Sequence, residues 1–300
     1  MRYGAVDIGT NSCRMLIAES KDDCVYKIKQ QLEITRLGEG VDQNRILAKE
    51  AIERSAAVVQ KFYEVMTKSG VEKIAIVGTS ALRDVNNTRL LEEKIKAITG
   101  TDLKIISGKK EARLNYLGAG IDTEKEFVLI DIGGGSTEFV WQEEGNIVFR
   151  SLDVGAVRMT ERHIKSTILP IPVDELSQIA EDIAANINDN INNIGKLENA
   201  VGVGGTITTI AAIESQLTKY DSDIIHNYQL SYDRIKQILN KLAQLTLAER
   251  KQVTGLQPGR ADIIVAGIKI LQVIMQELKI EQITVSDHDL LFGIIKDLHN

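Results

Sequence analysis

The fold is decided by VLIDIGGGSTEFVWQ, Val128 to Gln142. An apolar strand ends in Asp131, three glycines follow, and Ser136 and Thr137 lead into a second apolar strand that carries Glu138. Successive glycines bend the chain tightly. Lacking Cβ atoms, they let several backbone N–H groups close on one oxygen-rich ligand, and phosphate suits such a turn. Asp131 and Glu138 place two carboxylates beside the glycines, an arrangement that invites Mg²⁺ between acid and phosphate.

The same plan opens the chain. In YGAVDIGTNSCRMLIAES, Tyr3 to Ser20, an apolar strand leads to Asp7, a turn at Gly9, then Thr10, Asn11 and Ser12 before a second strand. One such turn would be an ordinary hairpin. Two, each with an acid before it and hydroxyls after it, predict a duplicated α/β protein whose hairpins face one phosphate chain across an interlobe cleft.

Composition narrows the classes. Three hundred residues, 43% of them hydrophobic, are enough for two domains. With 36 Lys and Arg against 42 Asp and Glu, a net charge of -6 argues against nucleic acid held on a broad basic surface. Cys13 and Cys24 have no metal-ligand spacing, and no apolar run approaches a membrane span. A soluble cytoplasmic protein with no membrane partner is expected.

Along the chain, Arg2 to Ser20 and Cys24 to Thr35 read as a β-meander. Apolar residues at helical spacing from Leu47 to Ser69 predict a helix stopped by Gly70. VEKIAIVG is a buried strand that delivers Thr79, Ser80, Arg83 and Asn87 to its carboxyl end, where α/β folds bind ligands. After a further helix and short strand, ISGKKEAR starts a helix with Glu111 in its first turn. An acid there either complements the helix dipole or orients an attacking water. A third strand, a Gly155 turn and a helix precede a long amphipathic helix with Pro172 near its start and Asp174 as its expected N-cap. Gly202, Gly204, Gly205 and Thr206 form another anion-cradling loop at a helix start. Helices are expected over Tyr232 to Leu245 and Ala248 to Val253, and an almost wholly apolar one over Ile263 to Leu278, as core or subunit interface. Arg260 and Asp262 lie at its polar start, and a strand ending in Ser286 and Asp287 precedes a last helix. The four histidines share no motif spacing and are expected to be surface or capping residues, and Trp141 is expected to pack on its hairpin.

Seven blocks carry a resemblance that spans nearly the whole chain: DIGTNS (Asp7–Ser12), GTSALRDVNN (Gly78–Asn87), ISGKKEAR (Ile106–Arg113), DIGGGSTE (Asp131–Glu138), SLDVGAVRMTER (Ser151–Arg162), GVGGT (Gly202–Thr206) and GLQPGRAD (Gly255–Asp262). In this order they resemble the exopolyphosphatase and guanosine pentaphosphate phosphohydrolase (Ppx/GppA) family, in the actin, hexokinase and chaperone-ATPase superfamily. The resemblance implies a two-lobed actin-like (ribonuclease H-like) α/β fold, with residues 1–123 in the first lobe and 124–300 in the second, the final helix being able to pack back on the first. It implies Glu111 as catalytic base and Asp131 and Glu138 as Mg²⁺ ligands. The implied phosphate-binding set is Asn11, Ser12, Arg83, Gly133, Gly134, Gly135, Ser136, Thr137, Gly204, Gly205, Thr206 and Arg260.

By resemblance the activity is Mg²⁺-dependent release of orthophosphate from the end of linear polyphosphate, by a homodimer. The alternatives are a guanosine pentaphosphate 5'-phosphohydrolase and a non-catalytic binder of guanosine penta- or tetraphosphate or of a nucleotide. A sugar or acetate kinase of the wider superfamily would differ in requiring ATP. Two departures bear on this. Lys109 and Lys110 stand where many relatives have acids before the EAR motif, leaving Glu111 as the base, and the ending VSDHDLLFG has Asp289, Leu291 and Phe292 where Gly, Arg and Glu are common. Longer relatives carry an extra helical region, so shorter polyphosphate is the expected substrate.

Overall fold

A computed structural model describes residues 1–21, 24–119, 127–143, 146–191 and 199–299, apart from the side chains of Lys21, Cys24, Gln43 and Asp189. The chain forms two compact units, Met1–Gly120 with His288–Asn300, and Ile121–Asp287. The expected boundary between residues 123 and 124 falls outside the described residues, as does the Asn-rich stretch beyond Ile191.

The first unit holds β1 (Arg2–Ile8), β2 (Ser12–Lys21), β3 (Cys24–Ile34), β4 (Lys73–Gly78) and β5 (Leu103–Ile105) in the order β3-β2-β1-β4-β5. The second holds β6 (Phe127–Ile132), β7 (Thr137–Glu143), β8 (Asn146–Leu152), β9 (Asn199–Val203), β10 (Gln229–Ser231) and β11 (Gln282–Val285) in the order β10-β11-β9-β6-β7-β8. The duplication read from the two Gly turns is thus a duplication of topology. β1 pairs antiparallel with β2 and parallel with β4, as β6 does with β7 and β9. Because parallel strands need a helical crossover, the helix Lys49–Lys68 links β3 to β4 and the helix Val173–Asn190 links β8 to β9. Each central strand therefore ends in a turn at the carboxyl edge of its sheet, where α/β folds open their sites.

The cores follow from periodicity. Ile52, Ala56, Val59, Phe62 and Met66 of the first crossover helix are buried with Val6, Ile8, Met15 and Ile76 of the sheet. On the other face, Leu290, Leu291, Phe292, Ile294 and Ile295 of the final helix Leu290–His299 pack with Tyr3, Ala5, Leu16, Val77 and Leu114. That helix belongs to the first unit although it ends the chain. The apolar helix Ile264–Glu277 is buried on nearly every side with Ile179, Ile183, Ile235 and Leu239, which makes it core.

Some local expectations are corrected. Asp174 is not the N-cap of Val173–Asn190. Pro172, with φ -63 and ψ 152, holds that position, and Asp174 lies in the first turn, where its charge complements the exposed N–H groups. The helix expected over Ala248–Val253 is Leu247–Arg250, started by a Thr246–Glu249 capping box and ending in three-residue turns from Gln252 N–H to Glu249 O and Val253 N–H to Arg250 O. The Arg250 side chain is fully buried and donates to the carbonyls of Leu245, Ala261, Thr167 and Leu169, pinning two loops.

Cys13 is fully buried, bonded through sulfur to Thr35 Oγ1 at 3.6 Å, and burial pushes its thiol up to about 12. Thiolate is the reactive form. Native protein treated with iodoacetamide at pH 8 should therefore show the Cys13 peptide unmodified by mass spectrometry and modified only after unfolding. Labelling in the native state at the rate of a free thiol would contradict the burial.

Candidate functional site

The central Gly turn is built from its carbonyls. Gly133 O accepts from Ala156 N–H at 3.0 Å, and Gly134 O accepts from Val157 and Arg158 N–H at 2.8 and 3.1 Å, in the first turn of the helix Ala156–His163. Gly135 O accepts from Arg158 Nε at 2.7 Å, and Arg158 is 5% exposed. No peptide among the described residues is cis, so in each planar unit the N–H points opposite to its carbonyl. The N–H groups of Gly134, Gly135 and Ser136 therefore share the side facing away from that helix, which is the geometry of an anion nest. Gly133 N–H closes the turn on Ser136 O at 3.0 Å.

Gly155 is what lets the helix come so close. A Cβ there would lie 2.4 Å from the carbonyl carbon and oxygen of Gly134 and 2.5 Å from the carbonyl carbon of Gly135. From sequence Gly155 reads only as a turn and Arg158 has no role, although both stand in a quoted block. Only the turn's approach to the helix gives them one.

Beside the nest, Asp131 and Glu138 are register partners across the β6–β7 hairpin, so their side chains share one sheet face. They are 9% and 2% exposed, and Glu138 Oε1 accepts from Ser151 Oγ at 2.8 Å. A Cβ on Gly204 would come within 2.4 Å of Asp131 Oδ1, and one on Gly205 within 2.1 Å of Arg260 Nη1. The glycine loop thus sits between an acid and a guanidinium at the start of the helix Gly205–Glu214, joining Asp131, Gly204, Gly205 and Arg260 into one surface. Two expected phosphate contacts turn elsewhere. The Thr137 hydroxyl, fully buried, donates to Val154 O at 2.6 Å, and Thr206 Oγ1 would meet a Cβ on Gly267 at 2.7 Å, so it lies against the core helix. Thr137 serves the turn's frame, and Thr206 can offer only its backbone.

The first unit repeats the device with different charges. Gly9 N–H bonds Ser12 O at 3.0 Å; Thr10 O accepts from Gly38 N–H at 2.8 Å, and Asn11 O from Thr35 and Arg36 N–H at 3.0 and 2.9 Å. By the same planarity the N–H groups of Asn11 and Ser12 point away from that supporting loop. Asn11 Nδ2 is buried and finds no acceptor among the described residues, leaving a donor in the turn for a ligand. Opposite Asp7, where the other hairpin has an acid, stands Arg14, whose Nε and Nη2 donate to Asp7 Oδ2 at 3.0 and 2.6 Å. Burial pushes the Asp7 carboxyl up, and the Arg14 charge opposes that shift.

Glu111 lies in the first turn of the helix Gly108–Ala119, which starts with Ser107 Oγ accepting from Lys110 N–H at 3.2 Å. It is 7% exposed, and its Oε2 accepts from Arg83 Nη1 at 2.5 Å, while the same nitrogen donates to Ile106 O at 3.1 Å. The two residues assigned separately as base and phosphate contact thus form one unit, with Arg83 fixing the carboxylate. Asn87 is not part of it: its side chain bonds Leu47 N–H and O at 2.8 and 3.0 Å and clamps a loop. The histidines are engaged locally, His163 with Asp182, His226 with Ser286, His288 stacked on Phe292 and His299 with Tyr3. Trp141 packs on its hairpin under Arg150.

Duplicated mixed sheets with a Gly turn ending each first strand define the actin-like ATPase fold class. The chain belongs to the Ppx/GppA phosphatase family, whose profile matches residues 16–299. It is 33% identical to exopolyphosphatase 2 of Mycobacterium tuberculosis over 99% of this chain and 98% of that protein. It is 30% identical to the guanosine-5'-triphosphate,3'-diphosphate pyrophosphatase of Vibrio atlanticus over 99% of this chain and 59% of that one. The crystal structure of an exopolyphosphatase-like protein matches with a TM-score of 0.92 and 28% identity, over 99% of this chain and 97% of that chain. No helix among the described residues is long and apolar enough to cross a membrane.

Proposed function

We propose that this protein is an exopolyphosphatase that hydrolyses the terminal phosphoanhydride of linear polyphosphate. The observation that carries the reading is the three-amide nest set beside the buried Asp131–Glu138 pair. Phosphoryl transfer asks little covalent chemistry of a protein; it asks for charge neutralisation and an aligned nucleophile. In the second unit the amides of Gly134, Gly135 and Ser136 bind non-bridging oxygens and Arg260 adds a donor; in the first, Asn11 offers a donor and Arg83 orients Glu111. The Glu111 carboxylate takes a proton from water as the water oxygen bonds to the terminal phosphorus. The anhydride P–O bond breaks, releasing orthophosphate and a chain one unit shorter.

The donor set fits Mg²⁺. Asp131 and Glu138 are hard oxygen ligands on one face of the sheet. Such a pair suits an ion that takes its other ligands from water and phosphate. Bound there, Mg²⁺ would neutralise charge developing on the phosphate oxygens.

The full-length match to an exopolyphosphatase favours polyphosphate, and the pyrophosphatase relative keeps guanosine pentaphosphate as the second reading. Phosphate release from tripolyphosphate, long polyphosphate and guanosine pentaphosphate, each with Mg²⁺ and with EDTA, tests both. Release from the polyphosphates, absent with EDTA, is expected. Release from guanosine pentaphosphate alone would overturn the first reading, and release unaffected by EDTA would remove the metal.

A further inference from the structure

The two hairpins differ where their ligand-facing charges are set. Glu138 answers Asp131 in one; Arg14 answers Asp7 in the other. A guanidinium beside a phosphate-binding turn is the natural complement of a polyanion. Arg14, however, is committed to carboxylates on two sides. Its Nε and Nη2 bond Asp7 Oδ2, and its Nη1 donates to Asp289 Oδ2. The acids are 3% and 6% exposed, and the Arg14 side chain is 17% exposed, so solvent screens these pairs only weakly.

Asp289 is well placed to hold that charge. It precedes the helix Leu290–His299, and its other oxygen, Oδ1, accepts from Leu291 N–H at 3.1 Å. Gly293 N–H bonds Asp289 O at 3.1 Å, and the backbone of the neighbouring helix packs close, a Cβ on Gly118 falling 2.0 Å from Asp289 O. One carboxylate therefore caps the last helix and grips the hairpin cation, on a backbone with little room to move. The turn that Arg14 flanks still holds a buried donor with no hydrogen-bond partner among the described residues, Asn11 Nδ2, which marks it as a place completed by an acceptor on a ligand.

We propose that Asp289 is a specificity-determining residue: by holding the Arg14 guanidinium it withholds that cation from the phosphate chain and keeps affinity for long, highly charged chains low. This rests on the polyphosphate reading of the site and supplies a physical cause for a preference for short chains. Asp289 touches no reacting atom; it acts through Arg14.

The test is D289N, which preserves an Oδ1 acceptor for the Leu291 cap and removes the charge, with D289S as a second capping variant should the first fold poorly. In a Glu111→Gln background, calorimetric titration with tripolyphosphate and with long polyphosphate should show roughly threefold to tenfold tighter binding in D289N, because one negative charge near the ligand is gone. The gain should be larger for the long chain, and affinity should fall more steeply with salt than in the Asp289 protein. D289E, which retains the charge, should bind as the parent does. Unchanged or weaker binding in D289N and D289S, or equal tightening in D289E, overturns the proposal. The readout is binding, so it fails separately from the function. A parent protein that releases no phosphate from any chain removes the hydrolase reading, whereas a parent that hydrolyses normally but gains no affinity in D289N removes only this inference.

Discussion

Glu111→Gln is expected to fold as the parent does and to lose about 10²- to 10⁴-fold in turnover, the usual contribution of a positioned general base. The amide is isosteric and retains a carbonyl oxygen that can accept from Arg83 Nη1, so the 2.5 Å contact survives in weaker form. Basicity is what disappears. Because Glu111 is buried and its hydrogen bond is charge-assisted, a stability loss of about 1–2 kcal/mol is expected alongside, too small to unfold a protein of this size. Phosphate-release kinetics and tripolyphosphate binding, measured together, check the assignment. Near-normal binding with lost turnover supports the base; parental turnover removes it; binding and turnover lost in parallel would recast Glu111 as the group that holds Arg83 in place.

Gly155→Ala should damage the turn that carries the amide nest. Its Cβ would stand 2.4 Å from backbone atoms of Gly134, and ordinary contact begins at 3.4 Å, so the turn or the helix must retreat by about 1 Å. Neither partner is a flexible side chain tip. The retreat stretches the bonds from Ala156, Val157 and Arg158 to the glycine carbonyls, and with them the aim of the amides on the opposite side. A misplacement of that size costs about 100-fold in rate at a pre-organised site, and overpacking adds about 1–3 kcal/mol of instability. Kinetics and thermal unfolding of the variant check both. A Gly155→Ala protein with parental kcat/KM would show that the turn's carbonyls do not position its amides.

Much of this could be read along the chain because it is local. The order of strands and helices, the Gly turns with their preceding acids, and the burial of the helix Ile264–Glu277 follow from spacing within a few residues. Hydroxyl and guanidinium direction was not legible. Thr137 and Thr206 sit in the correct motifs, yet their side chains face Val154 and Gly267. Arg83 and Glu111, read as separate groups, meet across 28 residues, and Arg158 reaches Gly135 across 23. Asn87 belongs to a ligand-like block but spends its amide on Leu47, 40 residues away.

By itself, the sequence determined a duplicated α/β chain with two glycine turns, and it named the acids beside them. Backbone conformation there depends on residue type, and glycine's freedom is a property of the residue wherever it stands. Tertiary structure alone decided which way each turn faces and which charges remain for a ligand. A carbonyl bonded from behind sends its N–H forward, and a guanidinium held by an acid 275 residues away is no longer the cation its position suggests. Both are matters of what lies within about 3 Å, a distance the chain sets only after it has folded.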